Sequence, residues 1–312
     1  MAWLDLFALA LGNVVEALVV AFMLGLAHGI TPDEHTWPIT FSYSVGSYSS
    51  RGGLKSGLLF SAGFTIQRAM MSEVAYLGLA LIFTRWYVEP LVYIIVGTVM
   101  FFSGQYILQK GTYLHSHSLE HLLHRKVIGE EAEEREHAVP ELQDEPRAVP
   151  TRMTLVHGLI AGFGFGAYAT IVYFTLAPAM PSAYFGFLPG MVFGLGTMVM
   201  QLLFGFSFGK WIQRKKLGIK EIAYIGRKTA GRTLYFGGMV FALVGVLIFM
   251  FPAVDNFYLT TPIYVHNLHQ LGAGFLLVVF TVGIIGGVSY LKSTREVLRR
   301  VAGPKTEEAQ TL

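Results

Sequence analysis

The segment His28-Gly29-Ile30-Thr31-Pro32-Asp33-Glu34-His35 brings two imidazoles, two carboxylates and a proline to the end of an apolar run, residues 17–26. Imidazole nitrogen together with carboxylate oxygen suits nickel, cobalt, zinc or manganese better than magnesium, and a chain without cysteine disfavours copper(I). On an unbroken helix His28 and His35 share a face but stand about 10 Å apart along the axis, and Asp33 points elsewhere. No ion could be shared that way. Pro32 changes the expectation, because it lacks a backbone N–H and its ring clashes with the carbonyl four residues back, that of His28. A break over 29–32 lets His28, Asp33 and His35 turn inward as metal ligands, with Glu34 beside them. Ionisable side chains at membrane depth are costly and are kept where they pair, bind or move something. The competing reading leaves Asp33, Glu34 and His35 at the cytoplasmic membrane–water boundary.

Other polar residues interrupt the apolar runs. Glu16, Arg68, Glu73 and His157 are the candidates for an ion pathway. Arg68 and Glu73 are five residues apart, too far round one helix to pair well, so each is expected to meet a partner elsewhere, with Glu16 and the Asp33–Glu34 pair as the candidates for it; a structural ion pair is the alternative. His117, His121 and His124 follow an i, i+4, i+7 pattern that places them on one helix face, and such tracts bind metal weakly. His266 and His269 read as surface residues.

The elements that must position these groups are membrane helices. Of 312 residues, 53% are hydrophobic and 14% charged, well below the quarter charged that is usual in soluble domains. Apolar runs of about 20 residues indicate helices rather than a barrel. The start of the chain lacks a basic region and carries Glu16 in its first run, which argues against a signal peptide. The absence of cysteine excludes disulfides, thiolate metal sites and electron transfer through a cysteine pair. Seven runs are read, near 6–30, 57–83, 90–108, 153–178, 183–208, 234–251 and 271–291. Of 23 basic residues, 21 fall in the segments 31–56, 107–152, 209–232 and 292–312, while the opposite loops hold Arg85 alone. The positive-inside rule then puts the N-terminus outside and the C-terminus in the cytoplasm, in the inner membrane. The basic stretch from Arg214 to Arg232 faces anionic lipid and calls for no nucleic acid.

The expectation is an all-α integral membrane protein of about seven transmembrane helices, an inverted 3+3 repeat plus a C-terminal helix. Its parts are a first transmembrane half (1–108), a His-rich then acidic cytoplasmic linker (109–152), a second half (153–252), an outer loop with the last helix (253–291) and a cytoplasmic tail (292–312). His157-Gly158 opens the second half and echoes His28-Gly29. Paired interruptions of this kind in two inverted halves point to a transporter's central site. Gly190, Gly194 and Gly196, and Gly283, Gly286 and Gly287, are expected to allow close helix packing.

Over residues 23–80 the chain resembles the nickel/cobalt permease family, within the superfamily of lysine-exporter-type inverted-repeat transporters. The likeness rests on Leu24-Gly25-Leu26-Ala27-His28 followed by Asp33, a basic inner loop, and Gly57-Leu58-Leu59-Phe60-Ser61-Ala62-Gly63; Phe193-Gly194-Leu195-Gly196-Thr197 resembles the second half of relatives in that superfamily. Two positions depart from the family pattern. Glu34 occupies the place of the motif's second histidine, and Phe64 stands where the next helix of the family carries a histidine. The resemblance implies ligand roles for His28 and Asp33.

The function expected from these readings is secondary transport of a divalent transition-metal cation, nickel or cobalt first, by a protein that is not an enzyme and has no resident cofactor. Its partners are the lipid bilayer and the transported ion, with a homo-oligomer left open. Two alternatives remain: an exporter of a small anion or organic solute bound at Arg68, and a membrane accessory protein whose His-rich loop delivers metal.

Overall fold

The computed structural model describes residues 2–79, 81–82, 85–109, 151–164, 166–214, 217–262 and 269–302. His117, His121, His124 and His266 lie outside them. The chain folds as α1 (Ala2–Ile30), α2 (Trp37–Gly46), α3 (Ser50–Tyr76), α4 (Val88–Gln109), α5 (Thr151–Ala161) and α6 (Ala167–Ile171), which a π-helical turn prolongs over Val172–Leu176. Next come α7 (Leu188–Gln213), α8 (Ile219–Met250) and a two-stranded antiparallel pair, β1 (Leu259–Thr260) with β2 (Gln270–Leu271). Then α9 (Ala273–Val278) continues through a π-helical stretch, Val279–Gly286, into α10 (Gly287–Ala302).

This is a multi-pass, all-α membrane protein. Among the described residues five helical stretches are long and apolar enough to cross a bilayer: Asn13–Ile30, Val88–Gln109, Ala183–Gln213, Ile219–Met250 and Ala273–Arg299. The seven runs read from sequence exceed this count for two reasons. Helix α3 carries Arg51, Lys55, Arg68 and Glu73 along its 27 residues, and the run at 153–178 is divided between α5 and the α6 π-turn.

The first interruption follows from local chemistry. At the end of α1 the Thr31 hydroxyl donates to the His28 carbonyl (3.0 Å). Pro32 follows and has no N–H to continue the helix. The chain restarts where the amides of Thr36 and Trp37 donate to the Asp33 carbonyl (3.3 and 3.0 Å), with Pro38 in the first turn of α2, a turn that tolerates proline. From Pro38 to Gly46 every residue of α2 is buried.

Together α1 and α2 run along α7 with their gap opposite its middle. Gly25 and Gly29 pack on Phe193, Thr197 and Met200, whereas Thr40 donates to Gln201 Oε1 (2.5 Å) and Trp37 meets Phe204 edge-on at 5.0 Å. Helix α5 and the α6 π-turn run along α3 in the same way. Gly158 packs on Phe60 and Phe64, Gly162 on Gln67, and Tyr173 accepts from Arg68 (3.1 Å).

The two sets of contacts match residue by residue. Gly25 on Phe193 and Gly158 on Phe60, Gly196 on Phe22 and Gly63 on Leu155, Gly57 on Gln201 and Gly190 on Arg68, and Thr40 on Gln201 and Tyr173 on Arg68 are paired contacts. In each pair the equivalent residues (Gly25 and Gly158, Phe60 and Phe193, Gly63 and Gly196, Arg68 and Gln201, Thr40 and Tyr173) lie 133 apart in the chain. Helices α4 and α8 also pair through glycines, Gly97 on Gly238 and Gly104 on Gly231. At the basic end of the bundle Arg232 ties α8 to α10 through Ser293 (3.1 Å) and Glu296 (3.4 Å), and Tyr224 donates to Glu296 (3.1 Å).

Of the glycines expected to allow close packing, Gly190, Gly194 and Gly196 each abut backbone of a neighbouring helix. Gly286 faces the Phe41 ring, but Gly283 and Gly287 have no described atom within 4 Å of where a side chain would begin. The last helix is therefore not seated through a glycine stripe.

Candidate ion-binding cavity

The two interruptions face one another. His28, Asp33, Glu34 and His35 from the first and Gly164 and Gly166 from the second line one cavity of about 140 Å³. Arg68 of α3, Glu89 and Tyr93 of α4, and Asp255, Tyr258, Gln270 and residues 272–275 complete its wall. This is space for several waters or one partly hydrated ion, since a water occupies about 30 Å³ of liquid. The cavity lies toward the bundle end where α4 and α9 begin, the end whose loops hold Arg85 as their only basic residue.

Opening the helix has turned four ionisable groups of one segment into one space. His28, Asp33, Glu34 and His35 are each no more than 8% exposed. His28 Nε2 stands 3.8 Å from Asp33 Oδ2, and His35 Nε2 stands 3.5 Å from Glu34 Oε1. Asp33 Oδ2 and His35 Nδ1 have no hydrogen-bond partner among the described residues. The Tyr93 hydroxyl lies between Glu34 Oε1 (3.2 Å) and Glu89 Oε1 (3.1 Å). Gly164 is required here, because any side chain on it would overlap the His35 ring. Gly274 likewise abuts the Glu34 carboxylate.

Among the described residues no three of the His, Asp and Glu side chains converge closely enough to ligate one metal ion. The cavity instead presents two imidazole–carboxylate pairs, with Glu89 and Asp255 nearer the mouth. Four carboxylates against the single Arg68 guanidinium give it an excess of negative charge, and a low-dielectric cleft of one sign concentrates counter-ions. At the mouth, partial burial raises the Asp255 carboxyl above its ordinary range.

Arg68 is 2% exposed. Its guanidinium donates to the Tyr173 hydroxyl and lies over the rings of Phe64 (4.6 Å) and Phe193 (5.5 Å). Among the described residues no carboxylate approaches it within 4 Å, so the partners expected for it, Glu16 and the Asp33–Glu34 pair, do not form a salt bridge with it.

The remaining sequence candidates go elsewhere. Glu16 is exposed on α1. Glu73 lies in a lateral apolar groove with Ile66, Met70, Phe187 and Met191. His157 is buried against Tyr43, with its Nδ1 2.9 Å from the hydroxyl, and does not line the cavity. His269 Nδ1 is 2.9 Å from the Thr261 carbonyl, beside the strand pair. Conversely, Glu89, Tyr93 and Asp255 were not anticipated. Their signal was available, since Glu89 and Asp255 are acids on the side with almost no basic residues.

Phe64 stacks on His28 (ring centroids 5.7 Å apart, planes 16° from parallel). A nitrogen at this position would stand beside the His28 imidazole.

Comparison with protein-family models, with curated proteins and with solved structures finds no match for this chain.

Proposed function

We propose that the protein is a secondary transporter that moves a divalent transition-metal cation, nickel or cobalt first, across the membrane through this cavity. The observation that carries the reading is the meeting of two interrupted helices at an acidic cavity lined by two buried histidines. Half-helix ends and opened backbone at the middle of two inverted halves are how transporters expose groups to an ion inside a bilayer. On this reading α1 with α2, α3 and α4 are three spans, α5 with α6, α7 and α8 are their inverted counterparts, and α9 with α10 is the seventh. The matched contacts support the pairing, and the excess of Lys and Arg at the opposite end supports a cavity open to the outside.

His28, Asp33 and His35 would be the ligands, and Glu34 and Glu89 would lower the potential of the site. Import of a divalent ion gains roughly 4–5 kcal/mol per 100 mV of inside-negative potential, at about 2.3 per unit charge. The test is multi-element mass spectrometry of cells expressing the protein, His28→Ala or an empty vector, with nickel, cobalt, zinc and manganese at trace levels. A His28-dependent change in one metal is expected. No change in any metal, with the protein present in the membrane, would overturn the proposal.

The buried guanidinium of Arg68 favours a second reading, export of a small anion. Arg68→Glu separates the two, because charge reversal abolishes anion movement and leaves cation movement measurable.

A further inference from the structure

The cavity accounts for the polar residues of one half of the bundle and leaves another set unused. Toward the basic end, Ser44 Oγ, Thr154 Oγ1, His157 Nε2 and Gln201 Nε2 are all buried without a hydrogen-bond partner among the described residues. Each such group costs about 1–3 kcal/mol, and no water inside a bilayer offsets the loss. Thr40 and Ser44 are one turn apart on one face of α2, and Thr40 holds Gln201. Tyr43 of the same helix holds His157 of α5.

The matched contacts say what these groups correspond to. Gln201 and Thr40 stand where Arg68 and Tyr173 stand in the other half, and Arg68 lines the open cavity. By the same spacing, Tyr43 and His157 stand where Leu176 and Leu24 pack in an apolar cluster with Phe64 and Phe193. Packing at this place is thus met by two leucines in one half, so it does not call for a phenol and an imidazole in the other.

We propose that Ser44, Thr154, His157 and Gln201 line the cytoplasmic half of the ion path, closed in this conformation by the Tyr43–His157 and Thr40–Gln201 contacts. The inference rests on the transport reading. When α2 moves away from α5 and α7, the four unpartnered groups face water and the departing ion, and the outer cavity closes as Leu24 and Leu176 tighten.

The chain has no cysteine, so single cysteines report without background. Ser44→Cys and Thr154→Cys, both near-isosteric, would be treated with a membrane-impermeant charged methanethiosulfonate in inside-out and right-side-out vesicles. Arg51→Cys, exposed on the basic side, checks delivery from that face, and Ala21→Cys, in the outer apolar cluster, serves as the inert position. The expected result is labelling of Ser44→Cys and Thr154→Cys from the cytoplasmic face only, since an alternative state populated at roughly 0.1–10% is reached repeatedly during the exposure. Failure of both to react while Arg51→Cys reacts would overturn the inference. Labelling does not depend on which solute is carried. Cytoplasmic labelling in a protein that moves no metal would uphold the path and remove the metal, whereas metal transport without labelling would remove the path.

Discussion

Asp33→Asn is expected to weaken binding of a divalent cation about 30-fold or more, because removing one partner from a buried charged contact costs about 2–5 kcal/mol. The substitution preserves shape and volume and removes one negative charge. Asp33 is 4% exposed, lines the cavity, and has an oxygen with no hydrogen-bond partner among the described residues. Its nearest imidazole, His28, is 3.8 Å away, so the pair is within reach of a common ion. Titration calorimetry of the purified protein reads the affinity directly. Glu16→Gln serves as the comparison, since Glu16 is exposed and outside the cavity, and it should leave affinity unchanged. Equal affinities for Asp33→Asn and the native protein would place the ion elsewhere.

The second large effect concerns the scaffold. Gly158→Leu is expected to destabilise the protein by about 3 kcal/mol or more, because overpacking a tight contact forces backbone apart. A side chain there would run into the Phe60 carbonyl and the Phe64 amide on α3. Gly25→Leu meets the Phe193 carbonyl in the same manner and should behave alike. Gly287→Leu meets no described atom and should be close to neutral. Size-exclusion profiles and thermal midpoints in one detergent compare the three. Similar losses for Gly287→Leu and Gly158→Leu would mean that the close contacts do not hold the bundle together.

Much of the scaffold was legible because hydropathy is a long-range average that tolerates local error. The break after His28 was legible for a different reason: proline removes a donor wherever it stands in a helix. What sequence could not fix was register. The echo of His28-Gly29 in His157-Gly158 pairs His28 with His157, whereas the contacts pair Gly25 with Gly158 and so put His157 at the place of Leu24. The echo is out by four residues, about one helical turn. Both settings preserve the apolar face, so sequence periodicity alone does not choose between them. That shift takes His157 out of the cavity and into the contact with Tyr43.

Long-range neighbours were the other loss. Glu73 and Arg68 sit on the same helix, yet one faces a lateral groove and the other the cavity. Glu89 and Asp255 reach the cavity from the start of α4 and from the loop after α8, distant places that only the bundle joins. Phe64, a departure from the permease pattern in sequence, is in space the ring stacked on His28.

Whether the cavity between the two interrupted helices carries a divalent cation is decided by the flux of nickel and cobalt into liposomes containing the purified protein, with and without an inside-negative potential, for the native chain and for Asp33→Asn. Uptake is expected to grow as the potential becomes more negative inside and to be lost in Asp33→Asn. Absence of flux for every divalent metal, or flux that Asp33→Asn leaves intact, would rule out cation transport through this cavity.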